Sequence, residues 1–139
     1  MWAVRPDGQG DVTDTRVVWK AAKDMPATAS LLLIDGLLYL VNDQGFALCL
    51  DAATGNVVWR ERLSGKCSAS PVYAGGRIYF FSEKNLTTVI APGREFRRLA
   101  ENQLEDRLMA SPAVTGDAII LRSKTHLYRL EEAITAGNP

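Results

Sequence analysis

The amino-acid sequence predicts an all-β protein in which four-stranded antiparallel sheets, the blades of a β-propeller, repeat along the chain. Three stretches share one pattern: SLLLIDGLLYLV from Ser30, SPVYAGGRIYFF from Ser70 and SPAVTGDAIILR from Ser111. These serines are 40 and 41 residues apart. Trp19 and Trp59 are also 40 apart, and each lies eleven residues before a serine. A repeat of about forty residues is typical of a propeller blade.

Each repeat unit contains short runs of Val, Ile, Tyr and Leu that are interrupted by DG, GG or GD, which is the pattern of β-hairpins. The same composition argues against an α-solenoid of similar period. For the central repeat we predict four strands, at 70–74, 77–82, 86–91 and 94–99.

The segment EFRRLAENQLEDRLM favours a different structure when it is taken alone. Phe96, Ala100, Leu104 and Leu108 are four residues apart, which suits one face of a helix. Counting eleven residues back from Ser111 reaches Ala100, so the repeat equates the segment before Ala100 with the strand NVVWR. We therefore predict a strand there, followed by a connector.

The repeat divides the chain into one propeller segment of about three blades. The predicted units are a partial blade at 1–25, blades at 26–66 and 67–106, a partial blade at 107–131 and a tail at 132–139. Closed propellers contain about four to eight blades, and an open arc leaves apolar faces and strand edges uncovered. We expect further blades from a larger protein, of which this is a C-terminal segment, or self-association.

The composition excludes several classes of function. Of 139 residues, 47% are hydrophobic, and 16 basic residues balance 16 acidic ones, which argues against nucleic acid as a partner. The most apolar run is interrupted by Asp35 and Gly36 and is too short for a transmembrane segment. The first residues lack the apolar region of a signal peptide. Two cysteines without CxxC spacing indicate neither a disulfide framework nor a zinc site.

The stretch LDAATGNVVWR, residues 50–60, carries the strongest local motif. Asp51 ends a strand, where its side chain can accept hydrogen bonds from the amides of the following turn. Gly55 supplies the positive φ that such a turn requires. Trp59 then lies on the outer strand, where a large flat indole can be buried between two blades.

These residues resemble the tryptophan-docking repeat of the pyrroloquinoline-quinone (PQQ)-like β-propeller family. Asp51, Thr54, Gly55 and Trp59 carry the motif, and Trp19 carries its tryptophan in the preceding unit. We predict that these five residues form a structural docking motif.

The other units depart from the motif. The central unit reads VIAPGREF, with Ala91 in the place of Asp51 and no tryptophan, and we predict that its turn is about two residues shorter. The last unit reads HLYRLEEA and lacks an outer strand.

The resemblance implies a bacterial protein, periplasmic or secreted, although this chain shows no signal peptide. Quinoprotein dehydrogenases of the same superfamily bind PQQ and calcium above the propeller axis, with an aspartate base and often a disulfide between adjacent cysteines. This chain has no adjacent cysteines and no segment that matches those ligands. We predict no catalytic, cofactor-binding or metal-binding residues in it; PQQ and calcium are expected only in a larger parent protein.

Three functions follow from the resemblance. The first is a non-catalytic binding or scaffold module that presents its surface to a protein ligand. The second is a part of a larger PQQ-dependent quinoprotein oxidoreductase whose cofactor ligands lie upstream. The third is an interaction platform similar to the propeller lipoprotein of outer-membrane protein assembly, which requires a lipoprotein signal.

Other candidate residues have simpler structural interpretations. His126 is the only histidine, which excludes multi-histidine metal sites, and we predict a surface or strand-end position for it within a strand-like stretch. The segment DGQGD at 7–11 has the carboxylates of a calcium loop but lacks its alternating ligands and closing glutamate, so a long hairpin turn is favoured. Cys49 lies between two leucines and is predicted to be a packing residue.

Overall fold

A computed structural model describes residues 1–131 of the chain. Within this part every regular element is a β-strand, and the strands form four antiparallel sheets, which confirms the all-β prediction. The sheets are β1 (Trp2–Val4) with β2 (Val17–Lys20); β3 (Leu32–Ile34), β4 (Leu37–Val41), β5 (Phe46–Asp51) and β6 (Val57–Arg62); β7 (Val72–Ala74), β8 (Arg77–Phe81), β9 (Leu86–Ala91) and β10 (Arg97–Gln103); and β11 (Ala113–Thr115), β12 (Ala118–Arg122) and β13 (Leu127–Glu131).

Each sheet is a meander, in which every strand pairs with its neighbours in sequence. We call the sheets the first to fourth blades in chain order. The central strands β4 and β5 are almost wholly buried, because the second blade packs against a neighbour on both faces. Their continuous apolar sequences, LLYLV and FALCLD, follow from this two-sided burial.

The hydrophobic cores lie between the blades, as a propeller requires. We call the contact of the first and second blades the first joint, that of the second and third the second joint, and that of the third and fourth the third joint. Leu40, Leu48 and Leu50 form the core of the first joint. Among residues 1–131 the second joint has twelve buried core residues and the third only four. The third joint therefore has a much smaller buried core than the second.

The serines that marked the repeat form hydrogen bonds between successive blades. The Ser30 backbone N–H donates to Ser70 Oγ at 2.8 Å, and the Ser70 N–H donates to Ser111 Oγ at 2.8 Å. The sequence separations of 40 and 41 are thus the steps from one blade to the next.

A β-bulge recurs in the outermost strand pair of the first three blades. In each case one residue is skipped in the pairing: Val18 before Trp19, Val58 before Trp59, and Leu99 before Ala100. A bulge increases local twist and changes the direction of the next side chain. Ala100 therefore occupies the position of the tryptophans, as the count from Ser111 predicted.

The outer strand of the third blade corrects two predictions. It spans Arg97–Gln103, so it begins and ends later than the predicted 94–99, and its last residues replace the predicted connector. The preceding turn, residues 92–96, has the same length as residues 52–56 of the second blade, so the predicted shortening was wrong. Of the four residues whose spacing suited a helix, only Ala100 lies in β10; Phe96 and Leu104 flank the strand, and Leu108 lies beyond it. The predicted residue boundaries between successive blades stay a prediction.

Candidate functional site

The first joint holds the first tryptophan of the repeat against the turn of the second blade. Trp19 Nε1 donates a hydrogen bond to the Ala52 carbonyl at 3.0 Å. The indole lies flat on Gly55, where a Cβ atom would stand only 2.5 Å from the ring carbon Cδ2. Gly55 has φ +74°, so both its backbone conformation and this close contact favour glycine.

Asp51 organises the turn on which Trp19 rests. Its Oδ1 accepts hydrogen bonds from the Ala53 and Thr54 amides, each at 3.2 Å, and from the Thr54 hydroxyl at 3.1 Å. Its Oδ2 lies 3.3 Å from Arg94 Nη1 of the third blade. The Thr54 hydroxyl, and then Arg94, lower the pKa of Asp51. A carboxylate held in this way is a turn-forming group and a poor general base.

The second joint contains the second tryptophan in a fully packed aromatic cluster. Trp59 is 9% exposed, and its Nε1 donates to the Gly93 carbonyl at 3.1 Å. Its ring meets Tyr39 at a centroid distance of 5.9 Å and the edge of Phe96 at 5.2 Å. The Tyr39 hydroxyl accepts a hydrogen bond from the Gly93 N–H at 2.8 Å, and burial raises its pKa.

The five residues of the predicted docking motif are thus divided between two joints. Trp19 meets the turn formed by Asp51, Thr54 and Gly55, whereas Trp59 lies at the next joint. Sequence reasoning missed Tyr39, Gly93 and Phe96. Tyr39 could have been predicted, because the aligned stretches GLLYL and GRIYF each contain a tyrosine. Gly93 could not, because the second unit has no glycine at the equivalent position.

The third joint contains an open cleft, whereas side chains fill the second joint. A cleft of about 530 Å³ separates the third and fourth blades. The third blade contributes one wall, and the strands of the fourth blade contribute the other. The cleft is lined by Ala74, Gly75, Arg77, Tyr79, Phe81, Thr87, Asn102, Leu104, Val114, Gly116, Asp117, Ala118, Ile119, Leu121, Leu130 and Glu131.

Two other acidic side chains tie the connections between blades to neighbouring hairpins. Glu83 accepts a hydrogen bond from the Ser68 hydroxyl and forms an ion pair with Arg107. Asp106 Oδ2 accepts from the Ser123 hydroxyl at 2.8 Å and from the Thr125 amide at 2.7 Å. The pKa of each carboxyl lies below its ordinary value, chiefly through the Ser68 hydroxyl for Glu83 and the Thr125 hydroxyl for Asp106.

The comparison with known families agrees with this architecture. The sequence model of the PQQ-like repeat family described as outer membrane protein assembly factor BamB matches residues 9–98. The chain belongs to this family. The match begins in the first blade and includes the first two joints and most of the third blade, so it contains all five docking-motif residues.

A curated relative belongs to the same BamB group. The outer membrane protein assembly factor BamB of Alkalilimnicola ehrlichii is 29% identical over 111 residues, which is 79% of this chain and 28% of the relative. The chain therefore spans little more than a quarter of the length of the relative that it matches.

Solved structures show that the fold is that of a propeller. BamB from Moraxella catarrhalis superimposes with a TM-score of 0.68 at 15% identity, over 83% of this chain and 37% of that chain. The quinohemoprotein alcohol dehydrogenase from Comamonas testosteroni superimposes with a TM-score of 0.57 at 14% identity, over 70% and 17%. A chain in the mitotic checkpoint complex gives a TM-score of 0.62 at 12% identity, over 73% and 36%. At such identities the likeness concerns the fold alone.

The remaining candidate residues of this BamB-family chain lie apart from one another. Cys49 and Cys67 are buried and free, and burial raises the pKa of each thiol to about 11, which favours the protonated thiol over the thiolate at neutral pH. His126 is exposed and immediately precedes β13, with Nδ1 2.7 Å from the Thr125 hydroxyl. The acidic segment at 7–11 lies in the long loop that joins β1 and β2.

Residues 1–131 contain no cluster of three or more His, Cys, Asp or Glu side chains arranged to hold a metal ion. No helix in this part of the chain is long and apolar enough to cross a membrane.

Proposed function

We propose that the chain is part of a β-propeller that acts as a non-catalytic protein-binding factor in outer membrane protein assembly. The family match over residues 9–98 carries the proposal, because the family description and the curated relative both name that process. Propellers serve many functions, so the fold similarity to a dehydrogenase adds nothing in favour of an oxidoreductase.

The use of the acidic side chains supports the non-catalytic part of the proposal. A general base needs a free lone pair that faces a substrate. Asp51 binds its own turn, Glu83 binds Ser68 and Arg107, and Asp106 binds the hairpin before β13. Each of these carboxylates has a structural partner.

The proposal can be tested in cells. The gene for the protein that contains this chain is deleted and then restored as wild type, as Trp59→Ala or as the matched surface variant Trp2→Ala, since Trp2 is 55% exposed. The amounts of correctly assembled outer membrane proteins are measured in isolated outer membranes. We expect deletion to lower them, wild type and Trp2→Ala to restore them, and Trp59→Ala to restore them only partly.

The oxidoreductase alternative is tested on the purified protein. Calorimetric titration with PQQ in the presence of Ca²⁺ is expected to show no binding. Saturable PQQ binding, together with unchanged outer membrane proteins in the deletion strain, would replace the proposal with the quinoprotein alternative.

A further inference from the structure

The third joint is the unfilled counterpart of the second. In the second blade, Tyr39 pairs with Cys49, and Cys49 pairs with Trp59, so the three side chains share one face. In the third blade the corresponding row is Tyr79, Val89 and Ala100. The tyrosine is retained, but the indole is replaced by a methyl group.

The cleft between the third and fourth blades has walls that suit an aromatic group. Phe81 and Leu104 of the third blade and Val114 and Leu121 of the fourth contribute to its apolar lining. Tyr79 stands where Tyr39 uses its hydroxyl to bind the Gly93 backbone, so it offers a hydrogen-bonding partner inside an apolar cleft. A volume of about 530 Å³ lies within the range of ligand sites, roughly 300 to 1,000 Å³.

The cleft also reaches the outer strand of the third blade, through Asn102 and Leu104. Strand β10 is exposed at all seven positions, and among residues 1–131 it pairs only with β9. An extended segment lying beside this strand could bond its free backbone groups while one side chain enters the cleft. The rim carries Arg77 on one wall and Asp117 on the other, which suits a segment with both charges.

We propose that the third joint binds an aromatic side chain, an indole or a phenol, carried by an extended segment of a partner protein. The second joint shows the chemistry of such a contact, because there the indole at the equivalent position of the repeat has its N–H bonded to a carbonyl and its ring against a tyrosine. The inference rests on the geometry of the joint and is independent of a role in outer membrane assembly.

The test uses N-acetyl-tryptophanamide as the probe and the 139-residue chain, at a concentration at which sedimentation velocity shows it to be monomeric. Two-dimensional ¹H–¹⁵N NMR spectra are recorded during titration, with N-acetyl-leucinamide as the non-aromatic control compound. We expect saturable shifts at Tyr79, Leu104, Val114 and Leu121 with the tryptophan probe and much smaller shifts with the leucine probe.

Two variants and one control variant decide whether the cleft is the site. Ala100→Trp restores the repeat and supplies an internal indole, so we expect it to weaken probe binding by about tenfold or more. Glu101→Trp places an indole on the opposite face of β10 and is expected to bind the probe as the wild type does. Val114→Glu, at a position 43% exposed and therefore tolerant, places a charge in the cleft and is expected to weaken binding in the same way as Ala100→Trp.

Three results would overturn the proposal. The first is an absence of saturable shifts in the wild type at millimolar probe, and the second is equal binding of the leucine probe. The third is unchanged binding in both Ala100→Trp and Val114→Glu, with urea unfolding curves showing that these variants are folded.

Discussion

Two features favour glycine at position 55: the backbone conformation of the turn after β5 and the packing of the first joint. The Gly55 φ of +74° is the conformation that glycine adopts without strain, and its Cα is covered by the Trp19 ring. Gly76 has the same φ of +74° but has no other atom within 4 Å of the place where a Cβ would stand. Alanine substitutions at the two glycines can therefore separate the cost of the backbone conformation from the cost of the contact with Trp19.

We predict that Gly55→Ala destabilises the protein by roughly 1 to 3 kcal/mol more than Gly76→Ala, which is the usual cost of overpacking. Both variants share the cost of placing alanine at positive φ, about 1 to 2 kcal/mol. The measurement is the free energy of urea unfolding of both variants, in parallel with the wild type. Equal losses in the two variants would mean that the Trp19 contact contributes nothing.

Trp59 contributes the largest buried side chain of the second joint. We predict that Trp59→Ala lowers the free energy of unfolding by roughly 3 to 5 kcal/mol, since it removes a large buried aromatic and leaves the Gly93 carbonyl without its donor. Trp2→Ala, at an exposed position, is the matched control and is expected to cost about 0.5 kcal/mol or less. A loss below about 1 kcal/mol for Trp59→Ala would refute its role in holding the blades together.

At the scale of the element, the hairpin between β12 and β13 is held by a residue from the preceding connection. Asp106 accepts hydrogen bonds from Ser123 and Thr125, and Lys124 N–H donates to the Arg107 carbonyl. The hairpin and the connection are thus fixed to each other by the ionised carboxylate.

This anchoring predicts a pH dependence of stability. The Thr125 and Ser123 hydrogen bonds hold the pKa of Asp106 well below its ordinary value of 3.8 in the folded protein. A lowered folded-state pKa gives a contribution that is present above the unfolded pKa and is lost as the pH falls through the folded pKa. We expect the urea midpoint of the wild type to fall more steeply below about pH 4 than that of Asp106→Asn.

The control for this comparison is Asp14→Asn, which changes an exposed aspartate in the loop between β1 and β2. We expect its midpoint to follow the wild type over the same pH range. If Asp106→Asn and the wild type lose stability in parallel, Asp106 does not supply the acid-sensitive contribution.

Strand β10 shows where element prediction from sequence reaches its limit. The count of eleven residues back from Ser111 reached Ala100, which the structure pairs with Val89 at the position of the tryptophans. The limits of the strand were three to four residues early, because the count assumed a shortened turn and could not detect the bulge at Leu99. A bulge adds one residue and so shifts the alternation of faces by one position, and in a strand of seven residues that shift is too short to be recognised from the sequence pattern.

At the scale of the whole molecule, the chain is an arc with apolar side chains on its terminal blades. Trp2 of the first blade is 55% exposed, and Leu127 and Leu130 of the fourth are 73% and 42% exposed. We predict that the 139-residue chain, expressed alone, self-associates as its concentration rises and binds a hydrophobic dye. Sedimentation velocity over a concentration series measures this, and a compact monomer that binds no dye would contradict it.

The sequence by itself determined the repeat, the strand class and the family resemblance. These depend on local features: apolar runs closed by glycine turns, and landmarks that recur at 40 and 41 residues. It also indicated that Asp51 serves its turn, because the amides that Asp51 binds are two and three residues away.

Only the tertiary structure decided which side chains meet between the blades. Trp59 is 34 residues from Gly93 and Tyr39 is 54 residues from it, and no local pattern links residues so far apart. The same holds for the third joint, where Tyr79 lines a cleft only because the sheet of the fourth blade lies beside it. Contacts between blades depend on how two sheets pack together, and that packing is a property of the folded chain.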